Sequence, residues 1–122
     1  MTEKVELKAA QRLKQFIGAM ATLQGKRTGL GNILIWISKR YPRHACRVKV
    51  SNVRDTYSPD DNFSLSLDGV VQEGQEKVSA TDMLRIRKWI EINREVIEKF
   101  WNDDQYLDDD MKKDLKKLPK KI

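Results

Sequence analysis

The sequence has few of the residues that build disulfide-bonded and metal-binding proteins. Its 122 residues include one cysteine, Cys46, and one histidine, His44. A single cysteine excludes an intramolecular disulfide, and one His with one Cys falls short of the three or four ligands of a zinc site. Acidic residues would have to complete any such site. We therefore expect no metal and no other cofactor.

Long apolar runs are also missing. The longest, "ILIWI" at residues 33–37, is far below the roughly 20 residues that a membrane-spanning helix needs. The N-terminal stretch "MTEKVELKAAQRLKQF" lacks the uninterrupted apolar region of a signal peptide. We expect a cytoplasmic protein that does not insert into a membrane.

Acidic residues are scarce in the first half of the chain. Residues 1–54 hold 12 Lys or Arg against 2 acidic residues, a net charge of +10, whereas residues 55–122 carry −4 and the whole chain +6. A concentration of positive charge favours partners of opposite charge. Nucleic acid and an acidic protein are the two partner classes that the composition suggests.

Helical periodicity is present near the N-terminus. Apolar residues recur at spacings of three, four and seven from Val5 to Leu23, which predicts a helix over residues 4–24. The glycine-rich stretch "GKRTGLGN" at 25–32 follows it. A phosphate-binding glycine loop follows a strand and precedes a helix, and this order is reversed, so we interpret the stretch as a helix-to-strand connection.

Strand patterns occupy residues 32–74. "NILIWIS" is apolar at consecutive positions, as in a strand covered on both faces, while "CRVKVSNV" and "FSLSL" alternate apolar and polar residues. Asp68-Gly69 is a strong hairpin signal and predicts that "VVQEG" returns as a short strand. These segments predict an antiparallel sheet of about four strands.

A second helix is predicted over residues 79–102. Ser79 with Asp82 resembles a capping box, and the apolar residues from Met83 to Trp101 fall on one side of the helix. Asn93 breaks this pattern, since it lies near the middle of the apolar arc. Two interpretations stay open: Asn93 ties the helix to sheet backbone, or it belongs to a binding pocket.

The predicted fold class is α+β. An N-terminal helix, the antiparallel sheet and a long C-terminal helix packed across it form one domain over residues 1–102, with the 4–24 helix, the 32–74 sheet and the 79–102 helix as its parts. Residues 103–122 follow as a charged tail or short helix, with acidic residues before lysines.

Residues 32–102 resemble a known family. Pro42, His44 and Cys46 in "PRHAC", Gly69 and Gly74 in "DGVVQEG", and "WIEINREVIEKFW" from Trp89 to Trp101 follow the order of motifs in a bacterial domain of unknown function numbered four-one-six-zero. The family pattern has histidine where this chain has Cys46 and Asn93. The resemblance implies a compact α+β domain, often encoded on mobile or phage-like DNA and sometimes beside toxin-antitoxin-like genes, with no established reaction.

His44 and Cys46 have the strand parity of Val48, so both are predicted to point inward. Residues two apart on a strand are separated by about 6 to 7 Å, too far for the direct hydrogen bond of a nucleophilic pair. We therefore expect a protein that is not an enzyme and has no catalytic residues. A less favoured functional hypothesis, third after the two given below, is an undescribed enzyme with a pocket at His44, Cys46 and Asn93.

The strand residues of the opposite parity are predicted to point outward, and they place cations near the aromatic residue Trp36. Cations that surround an exposed aromatic can hold phosphates while a base stacks on the ring. The candidate binding residues are Lys26, Arg27, Trp36, Lys39, Arg40, Arg43, Arg47 and Lys49.

This basic hairpin leaves several interpretations open. Trp36 could instead lie under the first helix with the cations simply hydrated, or the cations could meet an acidic protein or the chain's own Asp-rich tail. The first functional hypothesis is a small nucleic-acid-binding protein of a bacterial mobile element. The second is a protein-binding regulator, antitoxin-like or anti-defence, that uses the same face.

Overall fold

The fold was analysed in a computed structural model that describes residues 20–40 and 45–120. Within these ranges five strands form one antiparallel sheet, and their order across the sheet is their order along the chain. The strands are β1 (Met20–Leu23), β2 (Ile35–Ser38), β3 (Arg47–Ser51), β4 (Asn62–Ser66) and β5 (Val71–Gly74). The helices are α1 (Gly25–Thr28), α2 (Ala80–Asn102) and α3 (Asp108–Asp114). The predicted α+β class is confirmed.

Two predictions about the start of the sheet are wrong. The described residues form five strands instead of four, and residues 20–23 are strand β1 where a helix was predicted. Ala21 pairs with Ile37 and Leu23 with Ile35 on β2. A segment of four residues is too short for strand alternation to stand out from helical spacing, so pairing with β2 decides its conformation. The rest of the predicted helix, residues 4–19, lies outside the described residues.

The other predicted strands and the hairpin turn are present. β2 lies inside the sheet between β1 and β3, and Ile35, Trp36 and Ile37 are all buried, as its uninterrupted apolar sequence predicts. Gly69 adopts a φ of 83° in the turn between β4 and β5, a conformation that glycine reaches without a steric penalty. The Ser66 N–H donates to the Val70 carbonyl across this turn.

Helix α2 covers one side of the sheet, the inner face. Ser79 caps the helix, and its hydroxyl accepts a hydrogen bond from the Asp82 N–H at 3.0 Å. Six buried residues of α2, which are Met83, Ile86, Trp89, Ile90, Ile97 and Phe100, pack in one cluster with alternate residues of the strands, which are Ala21, Leu23, Ile35, Ile37, Val48, Val50, Phe63 and Leu65. The predicted packing of this helix across the sheet is therefore observed. None of the helices in the described ranges is long and apolar enough to cross a membrane.

The segment after α2 packs onto the same core. Met111 on α3 and Leu118 are 0% and 2% exposed and belong to the main apolar cluster. Residues 115–120, here called the C-terminal strap, follow α3 without regular secondary structure. The Leu118 N–H donates to the Thr28 carbonyl at 2.8 Å, which joins the strap to α1. Residues 103–120 are therefore part of the packed fold.

Candidate functional site

The predicted binding residues on β2 and β3 share the side of the sheet opposite α2, here called the outer face. Trp36 pairs with Lys49, and Lys49 pairs in turn with Ser64 on β4. Arg47 pairs with Ser66 in the same way. This arrangement confirms the predicted parity of the strands.

Trp36 is packed into the outer face and is not presented to solvent. It is 1% exposed, and its ring meets the Tyr57 ring edge-on with centroids 4.3 Å apart. Its Nε1 is buried without a hydrogen-bond partner. A base cannot stack on a ring buried to this extent, so the aromatic part of the predicted interface is not available in this structure.

The cations of the outer face are partly neutralised. Arg47 donates from Nη1 to Glu73 Oε2 at 2.9 Å, and 15% of its side chain is exposed. Burial lowers the pKa of Lys49, and the neighbouring Arg47 lowers it further while Glu73 opposes both effects. Arg47 is therefore already paired with an acid, and Lys49 is partly buried beside it.

Lys39 acts as a clamp within the fold. Its ammonium group donates to the carbonyl oxygens of Asp103 at 2.8 Å, Tyr106 at 2.6 Å and Phe100 at 3.3 Å, and lies 4.2 Å from the centre of the Phe100 ring. Burial lowers the pKa of Lys39, against the opposing effect of nearby carboxylates. The cation thus meets the Asp-rich segment through its backbone and ties the end of β2 to the end of α2.

The remaining predicted residues of the hairpin are placed only in part. Arg40 is exposed, and its backbone N–H donates to the Trp101 carbonyl at 2.9 Å. Arg43 and His44 lie outside the described residues. The predicted binding role of Arg43 and the predicted pocket role of His44 therefore stay predictions.

Cys46 is half-buried and poorly suited to nucleophilic chemistry. Burial, followed by the negative charge of Glu98, raises the pKa of its thiol to about 11, while Arg94 acts in the opposite direction. Since the thiolate is the reactive form, the protonated thiol is a weak nucleophile at neutral pH.

Asn93 connects α2 to the C-terminal strap. It is 1% exposed, and its Nδ2 donates to the carbonyl oxygens of Trp89 at 3.0 Å and Lys116 at 2.9 Å. Its Oδ1 accepts from the Lys116 N–H at 2.7 Å. The expected structural role is present, but the partner is the strap where sheet backbone was predicted. With both N–H bonds and the carbonyl engaged, the amide has no free donor for a pocket ligand.

The described residues form a groove between α1, the loop that follows it and the C-terminal strap. Three adjoining clefts make up this groove, and Lys26 lines all of them; the largest has a volume of about 600 Å³. Seven of the lining residues are Lys or Arg, namely Lys26, Arg27, Arg54, Arg85, Lys112, Lys117 and Lys120. Two are acidic, Asp55 and Asp82. We call this surface the basic groove.

Close backbone approaches give the groove its shape. A Cβ on Gly29 would collide with the Leu118 carbonyl oxygen, and the φ of Gly29 is 84°. A Cβ on Gly25 would collide with the Gly31 carbonyl oxygen. Glycine is therefore needed where α1 meets the strap and where the loop folds back on α1.

Arg85 fastens the loop to the strap. From α2, its Nη2 donates to the Gly29 carbonyl at 3.0 Å and to the Pro119 carbonyl at 3.3 Å, and its Nη1 donates to the Lys120 carbonyl at 3.3 Å. The guanidinium group is planar and carries several fixed donors, so one side chain can hold both edges of the groove. Lys117 and Lys120 are positioned by this contact and by the hydrogen bond of Leu118.

The sequence pointed to only part of this surface. Lys26 and Arg27 were predicted as binding residues, but the lysines of the strap were assigned to a charged tail. The strap lysines approach Lys26 only because the strap crosses α1. This contact joins residues that are far apart in the chain. Asn93 could have indicated that a further segment packs against the helix, because a buried amide on an apolar helix face requires hydrogen-bond partners.

No family model matches the sequence, and we found neither a related curated protein nor a similar solved structure. Among the residues that the structure describes, no group of three or more His, Cys, Asp or Glu side chains is arranged to hold a metal ion. The chemistry of the groove is therefore the basis for a functional proposal.

Proposed function

We propose that this protein is not an enzyme and that it binds nucleic acid through the basic groove. The observation that supports this proposal is the excess of cations there, with seven Lys or Arg against two Asp among the described lining residues. Two of the seven are paired with acids, Arg54 with Asp82 and Lys112 with Asp108. Lys26, Lys117 and Lys120 are exposed, and none of the three is ion-paired with an acid in the described part of the chain. They can each meet a phosphate.

The energetic source of such binding is counterion release. Each phosphate neutralised by Lys or Arg frees condensed ions, so affinity falls steeply as salt is added. Contacts to phosphates fix the position of a protein on nucleic acid without reading the base sequence. The proposed binding is therefore sequence-independent.

The groove supports this function better than the predicted hairpin surface does. Lys39 donates to three carbonyl groups, Arg47 is paired with Glu73, and Trp36 is 1% exposed. Lys26 and Arg27 belong both to the predicted set and to the groove.

Fluorescence anisotropy with labelled single- and double-stranded oligonucleotides, measured over a series of salt concentrations, tests the proposal. We expect binding to at least one of them, with affinity that falls as salt rises, and weaker but still measurable binding in a Lys26→Glu, Lys117→Glu double variant. Lys88→Glu, on the solvent side of α2, is the matched control and should bind as the native protein does. No binding to either oligonucleotide at about 50 mM salt refutes the proposal.

A protein-binding regulator is the second candidate function. Leu84 and Val70 are 65% and 57% exposed, and protein interfaces combine apolar side chains with charge. This candidate requires Leu84→Ser and Val70→Ser to weaken capture of a partner protein, whereas neither change should alter binding to nucleic acid.

The resemblance of residues 32–102 to the bacterial family numbered four-one-six-zero is likewise a proposal about descent. It supplies no reaction or ligand, and the nucleic-acid proposal does not depend on it.

A further inference from the structure

We infer that the basic groove takes the sugar-phosphate backbone of a duplex in preference to a single strand, an inference that rests on the proposed function. Proteins that bind single strands without sequence preference combine a positive groove with aromatic side chains on which the bases stack. A duplex keeps its bases stacked on one another and presents its phosphates outward. The two ligands therefore require different lining residues.

The lining of the groove supplies charge without a stacking platform. Besides the seven cations and two Asp residues, the lining residues that the structure describes are Thr, Gln, Asn, Gly and Leu. No aromatic residue lines any of its three clefts within the described ranges. Of the leucines in the lining, Leu30 and Leu118 are 5% and 2% exposed, and Leu34 and Leu115 are half-buried; none of them offers the flat ring on which a base stacks.

The aromatic residues elsewhere in the described chain do not supply a platform either. Tyr57 is 41% exposed, and every other described Trp, Tyr or Phe is 8% exposed or less. Tyr57 is not among the groove residues, and its ring packs against the edge of Trp36.

The backbone that carries two cations at one edge of the groove is held by hydrogen bonds. Lys117 lies between Lys116, whose backbone is bound by Asn93, and Leu118, whose N–H is bound by Thr28. Lys120 contributes its carbonyl to Arg85. Backbone that is already ordered loses less conformational freedom when Lys117 and Lys120 meet the phosphates of a duplex.

Gly31 leaves room for a ligand backbone beside Lys26. It is exposed, and no atom lies within 4 Å of the position that a Cβ would take there. The rim of the groove is thus low at this point, and a phosphate can approach the loop without displacing a side chain.

The test compares a labelled DNA duplex with each of its separated strands at the same salt concentrations. We expect the duplex to bind about tenfold more tightly than either strand, and two duplexes of unrelated sequence to bind within about threefold of each other. The slope of log affinity against log salt reports the number of phosphates that the protein neutralises. It should become shallower by the equivalent of about two phosphate contacts in Lys26→Glu, Lys117→Glu. Lys120→Glu, a single substitution at an exposed position, should make the slope shallower by the equivalent of about one phosphate contact.

The possible outcomes distinguish the preference for a duplex from nucleic-acid binding itself. Single strands that bind as tightly as the duplex, or more tightly, overturn this inference while leaving nucleic-acid binding intact. Duplexes that differ strongly in affinity also overturn it, because they indicate base readout. Absence of binding to every oligonucleotide refutes the proposed function itself. Circular dichroism of each variant, compared with the native protein and with Lys88→Glu, checks that the charge changes leave the fold intact.

Discussion

Asn93 binds the backbone of Lys116 in both directions. Its Nδ2 donates to the Lys116 carbonyl at 2.9 Å while its Oδ1 accepts the Lys116 N–H at 2.7 Å. An asparagine side chain thus pairs with a strand-like segment as a neighbouring backbone would. This contact fixes the strap that carries Lys117 and Lys120 into the basic groove.

Asn93→Ala should destabilise the fold by about 1 to 3 kcal/mol, because it removes the partners of both Lys116 backbone groups. Urea denaturation followed by circular dichroism measures this change. Asn102→Ala is the control, since Asn102 donates to the Glu98 carbonyl at an exposed position and its loss should cost less than about 0.5 kcal/mol. Equal costs for the two variants would contradict the structural role of Asn93.

Gly29→Ala and Gly31→Ala form a matched pair of tests. Both glycines have positive φ, 84° and 69°, but a Cβ at position 29 meets the Leu118 carbonyl oxygen and a Cβ at position 31 meets nothing within 4 Å. We expect Gly31→Ala to cost about 1 to 2 kcal/mol from backbone strain alone, and Gly29→Ala about 2 to 5 kcal/mol because the strap must also shift. Thermal denaturation compares them. The reverse order would show that the strap does not pack against α1 as described.

Lys39→Met should destabilise the protein by about 2 kcal/mol, although the substitution keeps an unbranched apolar stem. The lost ammonium group leaves the carbonyls of Phe100, Asp103 and Tyr106 without this donor. Guanidinium denaturation gives the value, and Arg40→Met, at an exposed neighbouring position, is the control. A variant as stable as the native protein would instead favour a role for Lys39 at the surface.

Cys46 should react slowly with a thiol reagent at neutral pH. Its folded pKa of about 11 lies above the ordinary value of 9.0, so at pH 8 the thiolate is about a hundredfold less populated than in an exposed cysteine. The reaction rate with a disulfide reagent should rise as pH approaches 11, and the chain in denaturant provides the reference rate.

The same shift has a predictable effect on stability. Because folding raises the pKa of Cys46, the protonated thiol contributes to the free energy of unfolding below about pH 9, and this contribution is lost as pH rises through 11.

The thiol-reagent experiment has a contradicting outcome. If Cys46 reacted at pH 8 in the native protein at a rate within a few-fold of that in the denatured chain, the thiol would not be buried as described.

The long helix was the most predictable element. Residues 79–102 were predicted from a cap and an apolar arc, and α2 runs from Ala80 to Asn102 with Ser79 as its cap. Both signals are local, since hydrogen bonds within a helix join residues four apart. The strands at 47–51 and 62–66 were equally accessible because their alternation matches a sheet with one face under a helix.

Strand β1 could not be predicted in the same way. Met20, Ala21 and Leu23 fit a helical spacing as well as an alternating one, and the choice depends on the pairing of Ala21 with Ile37. The contacts of Lys39 were hidden from the sequence for a related reason. Lys39 was assigned to ligands because it lies beside Arg40 in the sequence, whereas its actual partners are carbonyls about sixty positions away.

The strap also has a consequence for the order of folding. The Leu118 N–H donates to the Thr28 carbonyl at 2.8 Å although the two residues lie far apart in the chain, and we expect such a contact to form late because a long loop must close first. A partly folded intermediate can hold the sheet and α2 while its C-terminal lysines still lie far from Lys26. If the basic groove binds polyanions as proposed, that binding should appear only with the last step of folding, and refolding monitored by binding should lag behind refolding monitored by helix content.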